Sequence, residues 1–93
     1  MQITYDPIKN AKNIVKHGIS MAEAEKLEWD SALTWQDLRY HYDEIRMIGL
    51  VSAGSQLYYV AFTEIGGTIG GTYRIISLRK ATNREIKFYV QNC

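Results

Sequence analysis

The chain has 93 residues, 46 % hydrophobic and 23 % charged, with a single cysteine, Cys93, at the last position. This composition suits one domain over residues 1–93 and excludes a disordered or fibrous chain, a disulfide scaffold and a cysteine-based zinc site. The net charge of +1 is too small to announce nucleic-acid binding, but residues 20–45 balance at −5 and residues 72–93 at +4.

Such a chain folds either with one acidic and one basic face or with its charges interleaved. No apolar run approaches the roughly 18 residues that a membrane span needs, and no signal-peptide pattern follows Met1. The expectation is a protein of the reducing cytoplasm without membrane contact.

In chain order, Gln2 to Tyr5 is a short strand candidate. Asp6-Pro7 then opens a helix, because Asp6 can accept from orphan amides and Pro7 loses nothing at the first helical position. Ile8, Ala11, Ile14 and Val15 share one face, and Gly18 stops the helix. Ser20-Met21-Ala22-Glu23 reads as a capping box that starts a second helix, with Met21, Ala24 and Leu27 inward. Ala32 to Trp35, Ile45 to Val51, Leu57 to Thr63 and Tyr73 to Leu78 read as strands, the last three an antiparallel meander. Gly66 to Gly71 reads as a flexible hairpin tip. Thr82-Asn83-Arg84-Glu85 is another capping box, opening a C-terminal helix with Ile86, Tyr89 and Val90 inward. The expected class is α+β: an antiparallel three- to four-stranded sheet, two N-terminal helices and one C-terminal helix. Helices from both ends are expected on one sheet face, leaving the other open.

The segment from Arg74 to Thr82 leads from the last strand into a helix N-terminus. Free amides, the helix dipole, the Ser77 hydroxyl and the cations Arg74, Arg79 and Lys80 together favour a phosphate. The bland alternative is an exposed basic rim. Strict alternation would put Arg74 and Lys80 on one face and Arg79 on the other, to be reunited by a turn after Leu78. His17, at a helix C-terminus where the dipole favours its protonated form, is a proton donor, a phosphate contact or merely a cap. His41, within Tyr40-His41-Tyr42, reads as a surface residue. Glu64 or Glu85 can serve as a general base or orient an arginine, although capping suffices for Glu85. Tyr58, Tyr59, Phe62 and Tyr73 are core residues or, on an open face, a platform for RNA bases. With two histidines lacking a carboxylate at metal-ligand spacing, and no dinucleotide or nucleophile pattern, no metal or cofactor is expected.

The combination of Tyr5-Asp6-Pro7, Lys9, Asn13, Lys16-His17-Gly18-Ile19-Ser20 and Glu23-Ala24 resembles the opening of the BrnT toxin family. Arg46 with Ile48-Gly49, Thr63-Glu64, Arg74-Ile75-Ile76-Ser77, Arg79-Lys80-Ala81-Thr82, Glu85 and Tyr89 continue that pattern in order. The resemblance implies a RelE-like α+β fold and a metal-independent ribonuclease that cuts RNA and arrests growth. It also implies neutralisation by a BrnA-like ribbon-helix-helix antitoxin, through which alone the complex meets DNA. By that resemblance Arg74, Arg79 and Lys80 match basic positions of the family, and Lys9, His17 and Glu64 match recurrent polar ones. We assign Arg74 and Arg79 to charge stabilisation and His17 or Glu64 to proton transfer, with Lys80, Lys9 and Ser77 holding RNA. Two departures stand out: Ile65 follows the Thr-Glu pair where a cation is usual, and the Gly66–Gly71 tip and Leu78 are atypical. They leave open a weakened or inactive binding subunit of a toxin–antitoxin repressor complex; a small-molecule enzyme has no supporting pattern.

Overall fold

The computed structural model describes residues 2–66 and 71–93. Its elements are β1 (Gln2–Thr4), α1 (Pro7–His17), two 3₁₀ segments (Met21–Lys26 and Trp29–Ser31), β2 (Leu33–Gln36), β3 (Met47–Ala53), β4 (Gln56–Ile65), β5 (Thr72–Lys80) and α2 (Asn83–Asn92). The sheet has five strands in the order β1-β5-β4-β3-β2. The meander is antiparallel as expected, but β1 adds to β5 in parallel, pairing Gln2–Thr4 with Thr72–Arg74. The expectation of three or four antiparallel strands is corrected accordingly. A parallel neighbour needs a long crossover, and the intervening chain supplies one. Of the Gly66–Gly71 tip, residues 67–70 lie outside the described residues.

Local signals set the ends of α1. The Asp6 carboxylate accepts from the Ile8 amide at 2.9 Å, and Gly18 adopts φ 72° while donating to the Ile14 carbonyl. The second expected helix is instead 3₁₀: Ser20 accepts from Ala22, and the Met21 amide is taken by the Asn10 side chain at 2.7 Å. Asn10 thus ties this segment to α1 from its first residue, and the chain is extended again by Leu27.

The core lies on one sheet face, where Met21 and Ala24 of the first 3₁₀ segment and Leu27 just after it cover Val51, Val60, Phe62, Ile75 and Leu78. Trp29 packs edge-on to Phe62 and Tyr73, and Phe62 stacks on Tyr73 with centroids 4.7 Å apart. The inward residue of α1 is not apolar. Asn13 is buried, whereas Ile8 and Val15 are 71 % and 89 % exposed, which corrects the expected apolar face. The physical reason is the edge of β5. β1 covers only residues 72–74 of it, and farther along Asn13 takes the place of a strand. Its amide donates to the Leu78 carbonyl at 2.9 Å and its oxygen accepts from the Leu78 N–H at 3.2 Å. These buried backbone groups would otherwise be orphaned.

Nor does α2 join α1 on the same face. Phe88 meets Trp35 edge-on at 5.6 Å, and Trp35 pairs with Ile48, whose side chain points away from the Val51–Val60 core. None of its residues is buried; Ile86 and Val90 remain exposed and Tyr89 is half-buried, correcting their inward placement. The second sheet face is therefore partly covered by α2 and by the loop of residues 37–46.

Candidate functional site

The register of β4 and β5 decides which side chains meet. Ala61 pairs with Ser77, but the next residue, Phe62, pairs with Ile75, so Ile76 is an extra residue in β5. A one-residue bulge inverts side-chain parity along a strand. Arg74, opposite Thr63, therefore lies on the same face as Ser77, opposite Ala61, and Arg79, opposite Tyr59. Lys80, opposite Tyr58, lies on the other. The alternation expected from sequence, with Arg74 beside Lys80 and apart from Arg79, is corrected by this bulge.

Each arginine on that face has a carboxylate. Arg79 spreads over the Tyr59 ring, 4.0 Å from its centroid, and donates to both Glu85 oxygens at 2.8 Å. The Glu85 hydrogen bonds raise the Arg79 pKa and, reciprocally, Arg79 lowers that of Glu85. Glu85 also completes the capping box with Thr82, so one carboxylate caps α2 and orients the guanidinium. The Thr82 and Glu85 amides are thereby occupied, and the phosphate expected at this helix N-terminus would have to compete with Glu85. Arg74 donates through Nη2 to both Glu44 oxygens (2.6 and 2.5 Å). Arg46 lies over Tyr42 at 4.3 Å, its buried Nε 3.7 Å from Glu44 and without a hydrogen-bond partner among the described residues. Arg39 grips the buried Asp37 through Nε and Nη2 at 2.9 and 3.0 Å.

A concavity of about 520 Å³ joins the Arg39–Asp37 and Arg79–Glu85 pairs, with Trp35, Ile48 and Tyr59 also in its walls; Arg74 and Glu44 are not among its lining residues. Arg74 and Arg79 share the face, not a single point: their partners Thr63 and Tyr59 stand four positions apart on β4, about 13 Å of rise. That spacing suits two phosphates better than one.

The remaining expected site residues are elsewhere. His17 and Lys80 line a second concavity of about 480 Å³ with Ser20, Glu23, Lys26 and Tyr58, on the core side of β5. The His17 pKa is lowered, chiefly by burial and then by Lys16 and Arg79. This shift is opposite in direction to the one expected from the helix dipole. Glu64 is exposed at the far end of β4, acting on Tyr73, whose pKa is raised first by burial and then by that carboxylate. Lys9 is exposed on α1. Of the strand aromatics, Phe62, Tyr73 and Tyr58 face the core and Tyr59 is covered by Arg79, so β4 and β5 offer no open base platform. His41 is exposed, as expected. Among the described residues, no group of three or more His, Cys, Asp or Glu side chains gathers as a metal site would, and no helix is long and apolar enough to cross a membrane.

Sequence reasoning gave no site role to Glu44, Arg39 or Arg46, and it read Tyr59 as core or base platform rather than as the support of Arg79. The signal for Glu44 and Arg39 was the charged block of residues 20–45 against the basic block of residues 72–93. Glu44 with Arg74 joins those blocks directly, so on this face the charges interleave.

Residues 5–85 match the family described as the ribonuclease toxin, BrnT, of type II toxin–antitoxin systems. The comparison with curated proteins returns no match. With the family's match spanning both α1 and the arginines of β5, the chain belongs to the BrnT family of ribonuclease toxins.

Proposed function

We propose that the chain is a RelE-like endoribonuclease that cuts RNA without a metal, arrests growth and is silenced by a BrnA-like ribbon-helix-helix antitoxin in the cytoplasm. The observation supporting this reading is the common face of Arg74, Ser77 and Arg79 in a chain whose family is named for RNA breakdown. The RNA 2′-hydroxyl attacks the adjacent phosphorus while a base takes its proton. A phosphorane-like state forms, and an acid protonates the departing 5′-oxygen, leaving a 2′,3′-cyclic phosphate. The phosphorane carries more negative charge than the ground state, so fixed guanidinium groups bind it better.

In this scheme Arg79, held by Glu85 and Tyr59, stabilises that charge, and Arg74 holds a flanking phosphate with Ser77 between them. Lys80 and Lys9 hold RNA from the other side of β5. His17 is one proton-transfer candidate: it lines the concavity on the core side of β5, across the strand from the arginine face, and its lowered pKa favours the unprotonated imidazole that a base requires. Glu64 is the second proton-transfer candidate, farther from Arg79 along the sheet.

The test is cleavage of single-stranded RNA, with and without EDTA, by the wild type, Arg74→Ala and Arg79→Ala at unchanged fold. Undiminished cleavage in EDTA and a loss of about 10²–10³ in rate for Arg79→Ala are expected. Variant rates within a few-fold of wild type would dismiss the arginine roles, and abolition by EDTA would dismiss metal independence. One observation favours a second reading, a binding subunit that does not cut. Arg39, Arg74 and Arg79 each carry a carboxylate that RNA must displace. A stable antitoxin complex without RNA breakdown by the free chain would establish that reading instead. DNA would then be reached only through the antitoxin.

A further inference from the structure

We propose that the loop of residues 37–46 is a nucleobase-binding subsite in which the Tyr40 ring stacks an unpaired base of the RNA. This rests on the ribonuclease reading and adds to it a place for a base beside the phosphate-binding arginines. The loop closes on itself: the Asp37 amide donates to the Arg46 carbonyl at 2.8 Å, and the chain between lines an open concavity of about 530 Å³. Asp37 is the anchor. Its carboxylate accepts from the Arg39 amide and guanidinium and, at 2.9 Å, from the Tyr42 hydroxyl. Compact surface loops with joined ends are frequently functional.

On that anchored frame the rings and cations alternate. Arg39 sits 5.9 Å from the Tyr40 centroid, Tyr40 meets Tyr42 edge-on at 6.0 Å, and Arg46 covers Tyr42 at 4.3 Å. Tyr42 is half-buried and its hydroxyl is engaged, whereas Tyr40 is 69 % exposed and its hydroxyl makes no hydrogen bond within the described residues. A ring held at its edge, with most of its surface in water, is a stacking platform without its partner. The flanks indicate what that partner is. At one end Arg39 shares the concavity of Arg79, and at the other Glu44 of the loop grips Arg74. The platform therefore bridges the two guanidinium positions that bind phosphates in the proposed reaction. A single-stranded RNA laid across both brings a base over the loop between them. Stacking suits this place because the arginines there are already paired with carboxylates, so electrostatic attraction alone is weak.

The experiment measures affinity for a 2′-O-methylated single-stranded oligonucleotide, which binds but lacks the nucleophile. Tyr40→Ala is expected to weaken binding about 5- to 100-fold, and Tyr40→Phe to retain it, since stacking needs the ring and not the hydroxyl. Oligonucleotides lacking one base at each position in turn should include one whose loss matches Tyr40→Ala and adds nothing to it. Full wild-type affinity in Tyr40→Ala, or an equal loss on an oligonucleotide without bases, overturns the platform. Weakened antitoxin capture with unchanged RNA binding would overturn it too, marking the loop as a protein contact. A wild type that cuts RNA while Tyr40→Ala binds normally refutes the platform alone; a wild type that neither binds nor cuts RNA refutes the nuclease reading and the platform together.

Discussion

Replacing Asn13 by alanine tests whether a single side chain closes the outer edge of β5. Asn13 satisfies the N–H and C=O of Leu78, a residue with no exposed surface, and a further bond goes to the Ile19 carbonyl at 2.9 Å. The substitution leaves both Leu78 groups without a partner between α1 and the sheet. A buried polar group left unpaired costs ~1–3 kcal/mol, so two give ~3 kcal/mol once some water enters the gap. For a domain of this size each kcal/mol lowers Tm by about 4–8 °C, predicting a fall of about 12–24 °C. Urea unfolding followed by circular dichroism should move its midpoint at unchanged m-value. Asn13→Asp, which keeps an acceptor for the Leu78 N–H but sets an oxygen against its carbonyl, should also destabilise. A loss below ~0.5 kcal/mol for Asn13→Ala would refute the argument, because water or a shift of α1 would then satisfy the edge as well as the side chain does.

Two further outcomes follow from the charged groups. The Arg39 hydrogen bonds, helped by the Tyr42 hydroxyl and opposed by burial, hold the Asp37 carboxyl well below the usual carboxylate range. Its folded pKa is lower than its unfolded one, so its contribution is complete above the unfolded value of about 3.9 and is lost as pH falls below it. Asp37→Asn should lower stability at pH 7 and flatten the decline measured in urea between pH 5 and 3; parallel curves for the two proteins would contradict this. For catalysis, His17 acting as base predicts that kcat/KM rises with pH along a limb centred below 6.5, the ordinary imidazole value. His17→Ala should remove that limb along with most of the rate; a limb that persists unchanged would transfer the role to another group.

Much of the fold was legible in sequence because its signals are local. Asp6-Pro7, Gly18 and the Thr82-Glu85 pair act on amides a few residues away, and all cap as expected. The four strands from β2 to β5 also fall where branched and aromatic runs predict, within a few residues. The Ser20-Glu23 pattern misled because Asn10, ten residues back, supplies the hydrogen-bond partners of that turn. Apolar periodicity misled on α1 and α2 because the edge of β5 demanded an amide rather than a hydrocarbon, and because α2 rests on the sheet with two half-buried residues.

Of the candidate site, the cations of the last strand were legible in sequence, but neither their carboxylate partners nor their arrangement was. Composition and the Arg74–Thr82 segment establish that cations cluster at the last strand. Which of them share a face depends on the extra residue at Ile76, and nothing local in β5 announces it: it exists only in the register against β4. The pairing of Glu44 with Arg74 likewise spans 30 residues and is fixed by where the 37–46 loop crosses the sheet. Capping and alternation are properties of neighbours along the chain, whereas parity across a bulge and the carboxylate that meets each guanidinium are properties of neighbours in space, which only the folded sheet defines.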